Sequence, residues 1–465
     1  MSEAKSDAAA TVFVIVLSSF LAPFMASAMN VALPAIGAEL SMDALDLGWV
    51  VTAYMLAAAV FLVPFGRAGD IYGRKRTFLL GAVVYALGSL VSAAAPSGAV
   101  LIAGRVINGA GAAMGFATGM AILMSVVPPQ QRGTALGWNV AAVYLGLSLG
   151  PVLGGVIAHD LGWRWIFGIS TVAGTVVIAF ALRRMKGEWA EARGERFDFP
   201  GAVVYGVALV SLMYGCTLLP RGSGALLLAA SALAGAGFVW WELRCRSPLF
   251  DVRIFRGNPV FALSNAAALI NYAATAAVGF LLSLYLQYTK GLTPRGAGMV
   301  LIAQPIVMTL FSPVAGRLSD RIQPRKLAAL GMAFNAAGLA LFSLLRPETD
   351  LRLIAANLCL LGFGFALFSS PNTNAVMSSV ERKYYGVASG TLSSMRLIGQ
   401  MMSMAVVMLL IALFVGHVQI VPANYPQFEG CVRMAFGVFA GLCTLGVLAA
   451  AVPGKSTAPA GAGRR

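Results

Sequence analysis

Gly66-Arg67-Ala68-Gly69-Asp70, trailed by Arg74-Lys75-Arg76, and Gly316-Arg317-Leu318-Ser319-Asp320, trailed by Arg325-Lys326, are two copies of one pattern set 250 residues apart. Each copy follows an apolar run and leads into a basic cluster. A repeat of this length means that each half of the chain is a multi-helix unit. If each copy sits after the second helix of its half, each half holds six helices. Two more, over about 200–242, then lie between the halves.

Composition supports that count. Of 465 residues, 59% are hydrophobic and 11% charged, and the mean hydropathy is +0.81; a soluble domain carries about 25% charged residues. A soluble enzyme, a disordered chain and a disulfide scaffold are excluded. One bilayer-spanning helix takes about 20 apolar residues, so fourteen take roughly 280, about 60% of the chain. Apolar runs fall at about 11–34, 48–66, 77–96, 99–127, 133–158, 165–183, 200–219, 224–241, 258–288, 296–316, 327–345, 351–378, 386–416 and 431–452. The reading is an all-α membrane protein with fourteen transmembrane helices. An N-terminal six-helix bundle covers 1–185, and cytoplasmic loops with two extra helices cover 186–257. A C-terminal six-helix bundle covers 258–452, and a short cytoplasmic tail covers 453–465. The first run is read as a retained helix and not a cleaved signal.

The net charge of +15 does not point to nucleic acid, because the cations alternate between loops. Loops 67–76, 183–199, 242–257 and 317–326, with the termini and Arg132, Arg382 and Lys383, hold 24 of the 33 lysines and arginines. The opposite side holds Arg164, Arg221, Lys290, Arg295, Arg346, Arg352 and Arg433. The cation-rich side is cytoplasmic, which puts both termini inside and agrees with an even number of helices. The expected location is the cytoplasmic (inner) membrane. Cys216, Cys245, Cys359, Cys431 and Cys443 show no C-x-x-C spacing and mostly fall in apolar runs. No disulfide, metal site or cofactor is expected.

Several motifs carry chemistry. Gly66 and Gly73 are expected to let the backbone turn between two helices, and Asp70 suits a helix N-terminus, where the dipole favours an anion. In the second copy Pro324 stands where Arg74 stands in the first, so a contact made through Asp320 should be weaker. The competing reading is a solvated basic turn. Arg105 lies inside helix four, where a guanidinium costs several kcal/mol unless partnered. Arg396 lies nearly mid-membrane in helix thirteen; it either faces a central cavity or braces its neighbours. Gly146, Gly150 and Gly154 repeat every four residues and leave one face of helix five bare for close packing. Gly111, Gly115 and Gly119 do the same in helix four. Pro151 is expected to kink helix five. Met395, Met401, Met402, Met404 and Met408 give helix thirteen a soft surface, suited to packing or to varied apolar cargo.

Taken in order, Asn30-Val31-Ala32-Leu33-Pro34, Trp49 to Tyr54, Gly66 to Arg76, Arg105-Val106-Ile107-Asn108-Gly109 and Gly146-x-x-x-Gly150-Pro151-x-x-Gly154-Gly155 resemble the major facilitator superfamily. The likeness is to its fourteen-helix branch, which contains drug:proton antiporters, and it covers nearly the whole chain. It implies two bundles working by alternating access on a small-molecule cargo, most naturally as an efflux permease and as a monomer, with protons as the candidate counter-substrate. It implies a coupling role for Arg105; Arg396, Asn30, Tyr54 and Asn108 are further transport or coupling candidates. It implies a conformational latch of Gly66, Asp70, Gly73 and Arg74, echoed by Asp320, with Asp70 meeting the helix that starts near Gly386. It implies that Gly146, Gly150, Pro151, Gly154 and Gly155 control leakage through the cavity.

One position departs from that branch. An Asp usually lies five residues before the Asn-Val-Ala-Leu-Pro run; here Met25 stands there. A proton carrier needs a group that titrates near neutral pH, and Met25 has none. None of the eighteen acidic residues lies deep in a span. Two in-membrane arginines with no in-membrane acid favour a neutral or anionic cargo over a cation. The alternatives are a uniporter or exporter of neutral or anionic metabolites without proton coupling, and a non-transporting membrane sensor of the same fold. No nucleophile, metal-ligand cluster or phosphate loop suggests an enzyme.

Overall fold

The computed structural model describes residues 2–128, 132–185, 187–219, 221–245, 247–250, 252–319, 321–380 and 385–451. Among these residues the regular structure is all helical. The first half runs α1 (Ser2–Leu40), α2 (Ala44–Tyr72), α3 (Arg74–Ala93), α4 (Gly98–Val126), α5 (Arg132–Asp160) and α6 (Arg164–Arg184). A hairpin follows, α7 (Phe199–Leu218) and α8 (Gly222–Glu242), and then a short α9 (Arg253–Gly257). The second half runs α10 (Pro259–Thr275), α11 (Val278–Leu284), a π turn (Tyr285–Thr289), α12 (Pro294–Leu301), α13 (Ala303–Ser319), α14 (Pro324–Phe342), α15 (Leu351–Ser378), α16 (Tyr385–Phe414) and α17 (Tyr425–Ala451).

Among the described residues, thirteen helical segments are long and apolar enough to cross a membrane. The remaining place in the sequence reading, 327–345, is filled by α14. Its 19 residues carry Arg325 and Lys326 in the first turn and Asn335 at the centre, which dilutes its apolarity. The ninth and tenth runs are each broken. α10 gives way to α11 at Ala276 and Ala277, where Ser403 Oγ of α16 accepts the Ala277 N–H at 3.1 Å. A side chain from a neighbouring helix thus replaces a lost backbone partner, which is how irregular backbone is tolerated at membrane depth.

The repeat read from the sequence recurs in the packing. α1 packs on α5 and α6, α2 on α4, and α3 on α4 and α6. In the second half α10 packs on α16 and α17, α13 on α15, and α14 on α15 and α17. Each pair has its counterpart. The register also holds at single-residue level: Arg74 and Pro324, 250 positions apart, are the first residues of α3 and α14. The halves meet where α2 packs on α16, α5 on α12 and α13, and α1 on α11 and α12. Of the extra hairpin, α7 lies over the seam between α2 and α16. Its Tyr205 hydroxyl donates to Ala59 O at 3.1 Å. α8 packs mainly on α7, and only 6% of its apolar window is buried, as a helix facing lipid should be.

One sequence expectation is corrected here. Gly66 does not turn the chain, because α2 continues through Tyr72 and Gly66 packs beside Ala117 of α4. The turn belongs to Gly73 alone, with φ +121°, a conformation that a Cβ would strain.

Candidate functional site

The outer seam is built from prolines and glycines. A proline in a helix removes the N–H that would pair with the carbonyl four residues back. Pro34 thereby frees the carbonyl of Asn30, and Ser283 Oγ of α11 donates to it at 2.6 Å. Gln287 Nε2 donates to the adjacent Val31 O at 3.0 Å. Both bonds join the two halves. Pro151 likewise frees Leu147 O, which receives Ser27 Oγ of α1 at 3.2 Å. The helix around Pro151 therefore continues, tied to its neighbour.

The glycine motif has two faces. A Cβ on Gly146, Gly150 or Gly154 would come to 2.5 Å from Phe20 O, Ser27 Cβ or Ala28 Cα, all on α1. Gly155 looks the other way, and its Cβ would stand 2.6 Å from Pro294 O at the start of α12. Gly298 of α12 returns the contact, since a Cβ there would overlap the Pro151 carbonyl oxygen. The second glycine run is less uniform than its spacing suggests. Gly111 is pressed on the Tyr85 backbone, whereas Gly115 and Gly119 would hold a Cβ at 3.9 Å from Ser18 and 3.6 Å from Ile15.

Arg105 is sealed inside the first half, 1% exposed. Its Nε donates to Val50 O at 3.0 Å, and its Nη1 lies 3.5 Å from Met25 Sδ. The guanidinium stands 4.5 Å from the centre of the Tyr54 ring and 6.0 Å from that of Phe167. Tyr85 also directs its hydroxyl at Met25 Sδ, at 3.5 Å. The position where an acid was expected is thus the convergence point of two donors, filled by a weak sulfur acceptor. Asn108 turns away to brace α3, its Nδ2 donating to Tyr85 O at 2.8 Å and Ser89 Oγ at 3.0 Å. Asn30 lies at the seam, with Oδ1 buried and unbonded.

Arg396 belongs to a different setting. Half-buried on α16, it donates from Nη2 to Thr373 Oγ1 of α15 at 2.7 Å. It lies 5.7 Å from the centre of the Tyr272 ring of α10. Its Nε is buried and has no acceptor.

At the cytoplasmic rim, the connector between α6 and α7 grips the α2–α3 turn. Arg74 holds Asp70 through Nε at 2.8 Å and Glu191 through Nη1 and Nη2 at 2.8 and 2.9 Å. Arg67 pairs with Glu195 at 2.5 Å. Glu188 accepts from the Lys75 backbone at 2.8 Å. Two backbone bonds complete the clamp, Arg74 N to Trp189 O at 2.8 Å and Ala192 N to Asp70 O at 2.9 Å. The Arg74 hydrogen bonds hold the Glu191 carboxyl below the usual carboxylate range. The carboxylate of Asp70 thus bonds to its own turn. Asp320 and the surroundings of Gly386, the other parts of the expected latch, lie outside the described residues.

Ser283, Gln287, Thr373, Tyr272 and the connector acids did not stand out in the sequence. Pro34 was the available signal for Ser283, because it announces an orphaned carbonyl at Asn30 that must find a donor.

Comparison with known proteins agrees with this geometry. The family model described as Major Facilitator Superfamily matches residues 15–261 and 265–464. The chain is 34% identical over 415 residues to the cephamycin export protein CmcT of Amycolatopsis lactamdurans, covering 87% of this chain and 85% of that one. It is 29% identical over 384 residues to the riboflavin transporter RibZ of Clostridioides difficile (strain 630), covering 82% and 84%. Among solved structures, a POT family transporter in complex with a thioalcohol-conjugated peptide superposes with a TM-score of 0.71 at 14% identity, covering 94% of each chain. The chain belongs to the Major Facilitator Superfamily and is a multi-pass membrane transporter of small molecules.

Proposed function

We propose that this transporter is a secondary active exporter of small amphipathic molecules, neutral or anionic in preference to cationic, working by alternating access. The observation that carries the cargo preference is the placement of charge. Arg105 and Arg396 lie within the spans and form no ion pair among the described residues, while the described acids sit at helix ends and in loops. An in-membrane cation attracts an anion and repels a cation. Similarity to a protein named for cephamycin export supports the exporter reading. Both termini are assigned to the cytoplasm of an inner membrane by the cation count, and the protein is taken to act as a monomer.

The outer ends of α1, α2 and α5 are joined to the second half, and Ala44 N also donates to Val418 O at 3.1 Å. Among the described residues, the polar bonds of the α2–α3 turn run to a connector instead. This is the arrangement of a state that receives cargo from the cytoplasm. Met25 leaves the usual carrier position without a proton site, so any proton coupling runs through groups at the span ends.

Everted vesicles test the cargo class. Carboxyfluorescein should enter them several-fold faster than rhodamine 123, and preference for rhodamine would overturn the assignment. Counterflow in proteoliposomes at imposed pH gradients, with Arg105→Ala beside wild type, separates antiport from uniport. Flux indifferent to the gradient identifies a uniporter.

A further inference from the structure

The two in-membrane arginines are satisfied to different degrees. Arg105 is packed shut beneath Tyr54 and Phe167, with Val50 O and Met25 Sδ as its acceptors. A ligand could reach it only by displacing core side chains. Arg396 remains half-exposed, bonds one hydroxyl, and keeps a buried Nε–H with no acceptor. A buried donor left unmade costs free energy, which a purely structural brace would not need to incur. Thr373 is already committed as a donor, its Oγ1 bonding Ser369 O at 2.8 Å, so it can only accept from Arg396. Arg396 lies roughly 16 Å along α16 from its cytoplasmic start, at about 1.5 Å per residue, too deep for a lipid headgroup.

We propose that Arg396, framed by Tyr272 and Thr373, is the subsite that receives the carboxylate, or an equivalent planar oxyanion, of the cargo. The unfilled Nε–H points to an acceptor of the kind a guanidinium binds most strongly, and the Tyr272 ring supplies an apolar wall beside it. Calling the ligand cargo rests on the exporter reading above; the site itself does not.

Thermal unfolding of the purified full-length protein, titrated with naphthalene-2-acetate and separately with naphthalene-2-acetamide, tests the subsite without requiring transport. A ligand that binds the folded state raises Tm. The acid should raise Tm of wild type at concentrations at least about tenfold lower than the amide, the scale of one charge-assisted hydrogen bond. Arg396→Gln should erase that tenfold preference and leave the response to the amide unchanged. Arg396→Lys, which keeps the charge and guards against a folding defect, should restore part of it. Arg352→Gln, which removes an exposed charge, should behave as wild type. The subsite is overturned by equal responses to the two probes in wild type, by an acid preference that survives Arg396→Gln, or by equal losses for both probes. The exporter reading is judged separately by dye entry into vesicles.

Discussion

The outer seam and the cytoplasmic rim are held in different ways. The seam uses backbone against backbone: Gly155 on Pro294, Gly298 on Pro151, a hydroxyl on the carbonyl that Pro34 has freed at Asn30, and an amide side chain on the adjacent Val31 carbonyl. The polar bonds to those carbonyls involve no ionisable side chain. The rim uses Arg67 and Arg74 against Glu195, Asp70 and Glu191. Close packing is short-ranged and nearly all-or-none, because interiors tolerate little added volume. Exposed ion pairs are soft, screened by salt and individually weak. The outer closure should therefore respond sharply to volume and hardly at all to pH or salt, and the rim should do the reverse.

The largest expected effect is Gly298→Val. Its side chain meets the Pro151 carbonyl, which belongs to the backbone and cannot swing aside. Overpacking of this kind costs about 1–3 kcal/mol, and at the upper end that shifts the closed-to-open ratio of the seam about a hundredfold. Thr309, whose hydroxyl lies 3.3 Å from Ser148 Oγ across the seam, provides the reporter. In a cysteine-free background carrying Thr309→Cys, an impermeant maleimide added outside should label the Gly298→Val protein and spare its parent. Equal labelling would remove the sterically sealed seam. Gly115→Ala is the matching control, since the nearest heavy atom lies 3.9 Å away and labelling should not change.

Next in size is the joint change Ser283→Ala and Gln287→Ala. It leaves the carbonyls of Asn30 and Val31 without their donors from the second half. A net loss of about 1 kcal/mol per bond predicts roughly a thirtyfold increase in maleimide labelling at Thr309→Cys. The increase should be the same at low and high salt, because neither bond involves a formal charge. A strong salt dependence would place ionic contacts in the seam.

How much of this was visible in the sequence depends on whether a feature is written along one helix or between helices. The two Gly-Arg-x-x-Asp copies are local and fixed the repeat. Arg74 and Pro324 opening α3 and α14 follow from it. Gly146, Gly150 and Gly154 were legible as a bare face for the same reason. Which partner each glycine meets was not, since Gly155 turns to the other half by its position on the helix circumference. Spacing also overstated Gly115 and Gly119. The α2–α3 turn was misjudged at Gly66 because α2 runs on, and its clamp was hidden because Glu188, Glu191 and Glu195 lie more than a hundred residues from their partners. Arg105 and Arg396 looked equivalent as two buried cations. Only their surroundings, one filled and one unfilled, separate them.

The smallest effect belongs to Glu191, and it tests the rim's side of the contrast. Its side chain is 70% exposed against 10% for Arg74, so Glu191→Gln should remove well under about 1 kcal/mol. Hydrogen exchange at the Ala192 N–H, which bonds Asp70 O, reads the clamp directly. The variant should exchange up to about fivefold faster than wild type near pH 7. Because the Glu191 carboxyl titrates below its ordinary value of 4.5, the ion pair contributes above that value and is lost as pH falls through the depressed one. The variant-to-wild-type ratio should therefore be flat from pH 7 to about pH 5, fall towards one in stronger acid, and shrink at high salt. A ratio that persisted in strong acid and at high salt would mean the connector is held by its backbone bonds alone, and the rim would then be as insensitive to charge as the seam.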